Sequence, residues 1–400
     1  MTRRIASPDN APMPRLLYLL MLCNLTVGTG AFVINGILGA VSTSLDVSVA
    51  AAGQSMTVYA LTTALLGPLA LLFSGRWPRR KALVLAMALF GAGNLLCAAA
   101  STLPVLLAGR ALMGLGACFT PMGAGIVVAI VAPERRGRAL ALVFLGMSLS
   151  YVIGMPIGAW LGLEYGWRVP VLGVAGATVL CCIALYRLVP RDIAAPGATL
   201  SGALSHLRRP AVLWTLALTL FYFVAIFNVF AYIGPVLLAL NDMTNTQLSF
   251  ALMSFGVAGV AGTLLGGWAN DRFGAQTTLA LQLSILAAMM VLVPLTHGQP
   301  LLTLVVFVVW GVSGFGMMVP QQSRLVLLAP QSAPLLMSLN TSMLYFGMAL
   351  GAVVGGAASA VLGVANLAWA GVPFALAGLF TLWINTRNTR GLEAAAATTK

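Results

Sequence analysis

Residues 74–81, SGRWPRRK, separate two long apolar runs in the first half of the chain, and residues 266–276, GGWANDRFGAQ, do the same in the second half. Aligning the loops at Arg76 and Arg272 shows that they are copies of one unit. The runs on either side of each loop are long enough to cross a bilayer, which takes about 20 residues. The pattern therefore indicates membrane-spanning helices in two related halves.

The composition is that of a chain surrounded by membrane lipid. Of the 400 residues, 60% are hydrophobic and only 7% are charged, whereas a soluble domain carries about 25% charged residues. So few charges cannot cover a soluble globule of this size. Lipid is therefore the expected partner of most of the surface.

Twelve apolar runs are candidate spanning helices. They fall near residues 15–40, 50–73, 82–100, 104–131, 139–162, 169–188, 212–240, 248–269, 277–296, 300–323, 336–362 and 367–386. We predict an all-α polytopic membrane protein with two pseudo-symmetric six-helix bundles, residues 1–188 and 212–386. A cytoplasmic loop, 189–211, joins the bundles, and a cytoplasmic tail, 387–400, follows them.

The net charge of +13 is distributed among loops and does not form a patch. When the runs are threaded with the N-terminus inside, the Lys and Arg residues fall almost wholly on one side. Only Arg110, inside a span, and Arg168, on the opposite side, depart from this positive-inside bias. The bias predicts a multi-pass protein of the bacterial inner membrane with both termini cytoplasmic. It leaves no basic surface to bind nucleic acid.

No cofactor, metal site or enzyme activity is expected from the sequence. The five cysteines lie inside apolar runs without metal-ligand spacing, where such residues behave as small hydrophobic groups. They are Cys23, Cys97, Cys118, Cys181 and Cys182. The sequence contains no phosphate-binding loop and no catalytic Ser/His/Asp set.

The two halves share further landmarks. GRALMGLGA, from Gly109, matches WGVSGFGMM, from Trp310. Glycine runs at four-residue spacing recur in the fifth and eleventh spans: Gly154, Gly158 and Gly162, and Gly347, Gly351 and Gly355. Small residues at this spacing let membrane helices approach closely. These repeats indicate a duplicated six-helix unit.

Parallel six-helix repeats are the architecture of major facilitator transporters, and the chain resembles that superfamily in its motifs. It is most similar to the twelve-helix drug:proton antiporter group, in the branch of arabinose-efflux-permease-like exporters. The stretches that carry the resemblance are GTGAFVINGIL (28–38), SGRWPRRKALVL, LAGRALMGLGA, APERRGRALALVFLG, GMPIG, AYIGPVL and GGWANDRFG. The resemblance implies a transporter that exports a small organic solute by alternating access in exchange for protons. We expect it to act as a monomer.

The resemblance also implies a gating function for the two basic loops. In the family, Asp and Arg of this loop form a charge network that stabilises the outward-open state. The first copy has glycine where the family has the acid, and the second copy keeps the acid. We predict that the two loops share one latch, formed by Gly75, Arg76, Arg79, Arg80, Asp271 and Arg272.

The fifth span carries a second gating candidate. Gly146, Gly154, Pro156 and Gly158 match the family's antiporter motif, whose face seals the interface between the halves. A proline inside a buried helix removes one hydrogen bond and creates a flexing point. Helix packing alone is the alternative interpretation of these glycines.

Eight side chains of the spans are candidate substrate ligands: Asn24, Asn35, Arg110, Asn228, Tyr232, Trp310, Gln321 and Asn340. An ionisable residue inside a span is costly and functional by default, so Arg110 is expected to hold a substrate oxygen or relay a proton. The alternative is that Arg110 bonds backbone carbonyls, and that the amides join helices. Together the eight suit a neutral or anionic solute, such as a drug, a sugar or a nucleoside-like metabolite.

The positions of the Asp and Glu residues leave open whether transport is coupled to protons. Related proton-coupled proteins carry an acid in the first span where this chain has Ala31, and all eight Asp and Glu residues fall outside the span cores. A facilitative uniporter or an importer of a small polar metabolite is therefore the alternative. A receptor without transport activity on the same fold is a further one.

Overall fold

The computed structural model describes residues 15–74, 77–132, 135–190, 210–328 and 333–398, and its regular structure is helical throughout these ranges. The helices are α1 (Arg15–Gly36), α2 (Leu38–Ser44), α3 (Val49–Ser74), α4 (Arg79–Ala98), α5 (Leu103–Gly116), α6 (Phe119–Ile130), α7 (Arg136–Leu149), α8 (Met155–Tyr165), α9 (Arg168–Leu188), α10 (Pro210–Phe230), α11 (Ile233–Leu240), α12 (Asn245–Phe273), α13 (Ala275–Leu292), α14 (Pro300–Gly316), α15 (Met318–Leu328), α16 (Ala333–Leu362) and α17 (Leu367–Thr398). A π-helical turn, Ser150–Gly154, joins α7 to α8.

Twelve segments of the described residues are long and apolar enough to span a membrane. Several contain two consecutive helices, as in α5–α6 and α7–α8. Helices suit this environment because every backbone hydrogen bond is made within the segment. The predicted all-α fold with twelve spanning helices is confirmed. The last helix continues to Thr398, past residue 386, where the sequence placed the end of the final span.

The first and seventh spans break in the same way. Ile37, between α1 and α2, has φ −112° and ψ 17°. Tyr232, between α10 and α11, has φ −118° and ψ 19°. The similar backbone angles at these two places agree with the duplicated unit inferred from the sequence.

The helices pack as two halves. In the first half α1 packs on α7, and α4 packs on α5 and α9; in the second half α10 packs on α16 and α17, and α12 packs on α14. Two seams join the halves: α3 lies against α16, and α12 lies against α8 and the π-helical turn. The fold class is therefore that of two helical bundles meeting along two seams.

Two ends of the molecule need names. One end of the molecule lies opposite the start of the first spanning helix and the end of the last one, and we call it the distal end. It carries residues 45–48, 99–102, 241–244 and 297–299. The other end is the terminal end. Part of the predicted central loop, residues 191–209, and the gating candidates Gly75 and Arg76 lie outside the described residues.

Candidate substrate site and gates

Arg110 lies at the centre of the first half with its side chain fully buried. Its guanidinium donates from Nε to the Ser55 carbonyl (3.2 Å), from Nη1 to the Gly30 carbonyl (3.1 Å) and from Nη2 to the Ala31 carbonyl (2.8 Å). It also lies 4.9 Å from the ring centroid of Tyr59, where a cation is attracted to the aromatic face. Carbonyl dipoles and an aromatic face thus stabilise the positive charge of Arg110. Through these contacts the side chain connects α5 to α1 and α3.

Asn24 also joins helices. Its Nδ2 donates to the Val143 carbonyl (3.2 Å), and its Oδ1 accepts from the Thr120 hydroxyl (2.7 Å). The side chain is fully buried. In this state its amide connects α1 to α6 and α7, and both of its polar ends are occupied by protein.

Gln321 and Asn340 belong to a hydrogen-bonded network inside the second half. Gln321 Nε2 donates to the Thr215 carbonyl (2.6 Å) and to Thr219 Oγ1 (2.8 Å), and the Thr219 hydroxyl donates to Asn340 Oδ1 (2.5 Å). Asn385 Nδ2 adds a bond to Thr215 Oγ1 (2.7 Å). The network connects α10, α15, α16 and α17 near the terminal end.

Three other candidates have buried polar atoms without a hydrogen-bond partner among the described residues. They are Asn35 through Nδ2, Asn228 through Nδ2 and Oδ1, and Trp310 through Nε1. Each side chain is at most 2% exposed. An orphaned buried polar group costs about 1–3 kcal/mol, so these atoms are places where water or a ligand would gain a hydrogen bond.

Tyr151 is a residue that the sequence reasoning did not single out. It lies in the π-helical turn and stacks on Phe32, with ring centroids 4.9 Å apart. Its ring also makes edge contacts with Phe230 (6.0 Å) and Phe315 (5.2 Å) of the other half. Pro156 cannot donate to the Val152 carbonyl because it has no N–H, and π-helical turns occur frequently at functional sites.

Further tyrosines lie near Tyr151. Tyr222 and Tyr345 are its electrostatic neighbours, and Tyr59 neighbours Tyr345, Tyr151 and Arg110. Among the described residues, none of these four hydroxyl groups makes a hydrogen bond, and Tyr151 and Tyr345 are half-buried. Phenol groups from both halves therefore converge at mid-depth. The signal in the sequence was a tyrosine between the glycines of the fifth span.

The glycines of the fifth span contact the first helix of their own half. A Cβ on Gly146 would overlap the Met21 carbonyl, one on Gly154 the Thr29 hydroxyl, and one on Gly158 the Val33 side chain. Pro156 lies between them and is also buried. The resemblance placed this face at the interface between the halves. In the structure that interface uses the π-helical turn, whose Tyr151 carbonyl meets Gly256 of α12, together with α8.

The described parts of the two loops lie at the terminal end. Asp271 and Arg272 are exposed and line, with Trp268 and Phe273, a surface cavity of about 540 Å³. Asp271 Oδ1 accepts from Asn270 Nδ2 (3.3 Å). In the first-half loop, Arg79 is 8% exposed, and the Arg80 guanidinium lies 3.9 Å from the ring centroid of Tyr186.

Among the described residues, the halves make contacts at mid-depth and toward the distal end. A Cβ on Gly234 would overlap the Gly36 carbonyl, and Asn245 Nδ2 donates to Glu164 Oε1 (3.0 Å). On the α3–α16 seam, an apolar cavity of about 490 Å³ opens, lined by residues that include Thr57, Leu61, Leu220, Met343, Phe346 and Ala349. The halves are thus in contact at the distal end.

Two six-helix halves that meet around buried polar and aromatic groups define a membrane transport protein. The family model of the Major Facilitator Superfamily matches residues 20–333, and the chain belongs to that superfamily. This confirms the resemblance to the superfamily that the motifs indicated. It also makes the chain a multi-pass membrane protein of a transporter family.

Similar proteins agree with this assignment. The chain is 31% identical to the inner membrane transport protein YdhP of Escherichia coli (strain K12), over 90% of this chain and 93% of that protein. It is 26% identical to the probable sugar efflux transporter of Pasteurella multocida (strain Pm70), over 90% and 89%. The fold is similar to a bacterial homologue of the human lysosomal transporter Spinster, in an inward-facing and occupied conformation, with TM-score 0.79, 16% identity and coverage of 93% and 96%.

Proposed function

We propose that this protein exports a small organic solute across the bacterial inner membrane by alternating access, with both termini cytoplasmic. The single observation that carries the proposal is the set of contacts between the halves at the distal end. The positive-inside bias of Lys and Arg supports an outward-facing distal end, and in this proposal the structure is then the state closed to the outside. Rocking of the two halves would then expose a midplane site to each side in turn.

The proposed substrate is neutral or anionic and modestly polar. Tyr151 and Tyr345 offer hydroxyl groups and aromatic faces at mid-depth, and Asn35 of α1, Asn228 of α10 and Trp310 of α14 hold orphaned buried polar atoms. Such groups suit a sugar, a nucleoside-like metabolite or an uncharged drug. The similarity to a probable sugar efflux transporter supports sugars as the first class to test.

Proton antiport is the coupling implied by the drug:proton antiporter group, and facilitated diffusion is its alternative. The described carboxylates favour the alternative because they are exposed at or near helix ends: Asp46, Glu164, Asp242 and Asp271. Arg110 makes no ion pair with them, and each of its three guanidinium nitrogens donates to a backbone carbonyl. Import is a further alternative, because direction depends on the gradients.

Binding and flux together test the proposal. Purified protein is screened by thermal shift against sugars, nucleosides and amphenicol-like drugs, and the solute with the largest shift is measured for flux in proteoliposomes. We expect saturable flux above that of protein-free liposomes, accelerated by an imposed pH gradient if protons are exchanged. Equilibration that ignores the gradient would establish facilitated diffusion, and binding without flux would support a receptor.

Tyr151 provides the matched variants for this screen. Tyr151→Phe keeps the stacking on Phe32 and removes the hydroxyl, so we expect the KM for flux to rise about tenfold with an unchanged melting temperature, since a lost hydrogen bond costs about 1 kcal/mol or more. Ser284→Ala on the exposed face of α13 is the control, because its hydroxyl bonds only the Ala280 carbonyl of its own helix. Equal KM values for wild type and Tyr151→Phe would remove Tyr151 from the site.

A further inference from the structure

The α3–α16 seam contains a large aromatic side chain that comes from neither helix. Tyr232 lies at the break between α10 and α11 and is fully buried. Its ring lies between Gly53 of α3, in the first half, and Gly355 and Gly356 of α16, in the second half. Tyr232 was predicted as a substrate ligand, and the structure places it between the halves.

The ring fills the space between these glycines. A Cβ on Gly53 would overlap the ring, and the three atoms nearest to it all belong to Tyr232. On the other side, a Cβ on Gly355 would lie 2.7 Å from Cε2, and one on Gly356 would lie 2.8 Å from the hydroxyl oxygen. The hydroxyl donates to the Ala352 carbonyl of α16 (2.8 Å). The ring is therefore held by α16 and has no room to move away from Gly53.

The bond to Ala352 decides which half keeps the ring when the halves separate. Tyr232 and Ala352 belong to the second half, and Gly53 belongs to the first. Separation of α3 from α16 at the distal end would withdraw the ring from Gly53 and leave its hydrogen bond intact. The neighbouring contact of Gly234 with the Gly36 carbonyl lies on the same segment and would open with it.

We propose that Tyr232 and Gly53 form the distal gate, in which the ring of Tyr232 packs into the space left free by the missing side chain of Gly53. The gate closes only when position 53 has no side chain, because the ring occupies the space that a Cβ needs. Tyr232 is thus a positioning residue for the conformational step and does not contact the solute. This inference rests on the proposed alternating-access function and names the residues that close its outward side.

The test measures a distance across the distal end without any ligand. Spin labels are attached at Ser101→Cys and Gln299→Cys, two exposed positions in distal loops of opposite halves. The native cysteines are buried except for the half-buried Cys182, which is replaced by alanine. We expect Gly53→Ala to lengthen the distance and lower the closed population about tenfold, because an added methyl group in a filled contact forces the helices apart.

The matched control is Gly67→Ala, since Gly67 lies on the same helix with no atom within 4 Å of an added Cβ. It should leave the distance distribution unchanged. The double variant Gly53→Ala/Tyr232→Leu removes the ring that the methyl group meets and should recover the short distance. Such non-additive behaviour would show that the two residues are in direct contact, because a general loosening of the protein would not be reversed by a second mutation. Tyr232→Phe keeps the ring and should stay closed.

Three outcomes would overturn the gate. These are an unchanged distribution in Gly53→Ala, opening in the double variant equal to or greater than that of Gly53→Ala, and opening in Tyr232→Phe as large as in Gly53→Ala. None of these measurements depends on solute flux. Absence of flux in the wild type would instead contradict the proposed function while leaving the gate contact intact.

Discussion

At the scale of single residues, Arg110 shows how a charge is tolerated in a spanning helix. Its three guanidinium nitrogens donate to carbonyls of α1 and α3. In this state Arg110 therefore follows the alternative interpretation, in which it bonds backbone carbonyls. Ala31, where proton-coupled relatives carry an acid, supplies one of those carbonyls. The guanidinium therefore binds the backbone at the position where a carboxylate would be expected.

Arg110→Ala should destabilise the protein as well as impair flux. The change removes three buried hydrogen bonds from a charged donor group, each worth about 1.5–3 kcal/mol, so we expect a loss of about 3 kcal/mol or more in the free energy of unfolding. Arg110→Lys should recover only part of it, because an ammonium group cannot match the planar guanidinium geometry. Denaturant unfolding in detergent measures both. Unaltered stability and flux in Arg110→Ala would show that these bonds are dispensable.

The sequence identified polar side chains in spans but not their partners. The sequence shows that three amides could face a cavity: Asn24, Gln321 and Asn340. Only the structure shows that these amides bond to neighbouring helices. Tyr151 was missed because its one signal, a position between the glycines of the fifth span, does not reveal that its ring reaches the other half. Its position depends on the π-helical turn, which local sequence specifies weakly.

At the scale of helices, the glycine spacing predicted which face of the fifth span packs closely, but it did not predict which helix packs against that face. Four-residue spacing placed Gly146, Gly154 and Gly158 on one face of the fifth span, and the structure keeps them on one face. That face packs on α1, whereas the contact with α12 is made by the π-helical turn and by α8. Spacing defines a face, but which helix covers it depends on the packing of the whole half.

Gly154→Ala tests the contact with α1. The added methyl group would overlap the Thr29 hydroxyl, so we expect a loss of about 1–3 kcal/mol, the usual cost of overpacking. Gly173→Ala on α9 is the control, with no atom within 4 Å of the added Cβ. Combining Gly154→Ala with Thr29→Ala should recover most of the loss. Thermal melting in detergent is the measurement, and equal melting temperatures for both glycine variants would contradict the contact.

At the scale of the whole molecule, the repeat and the apolar runs were sufficient to predict twelve spanning helices and their family. Both are properties of patterns that the bilayer imposes over about 20 residues. The conformational state could not be predicted, since the same sequence must adopt at least two states with similar energies. It is visible here only as contacts that join the halves toward the distal end.

Alternating access is the central claim, and two distances measured together test it most directly. One spin-label pair lies at the distal end, at Ser101 and Gln299, and the other at the terminal end, at the exposed Lys81 and Gln276. Gly53→Ala is used to open the distal end. If the halves rock as rigid units, the distal distance lengthens while the terminal distance shortens. A longer distal distance with an unchanged or longer terminal distance would contradict alternating access.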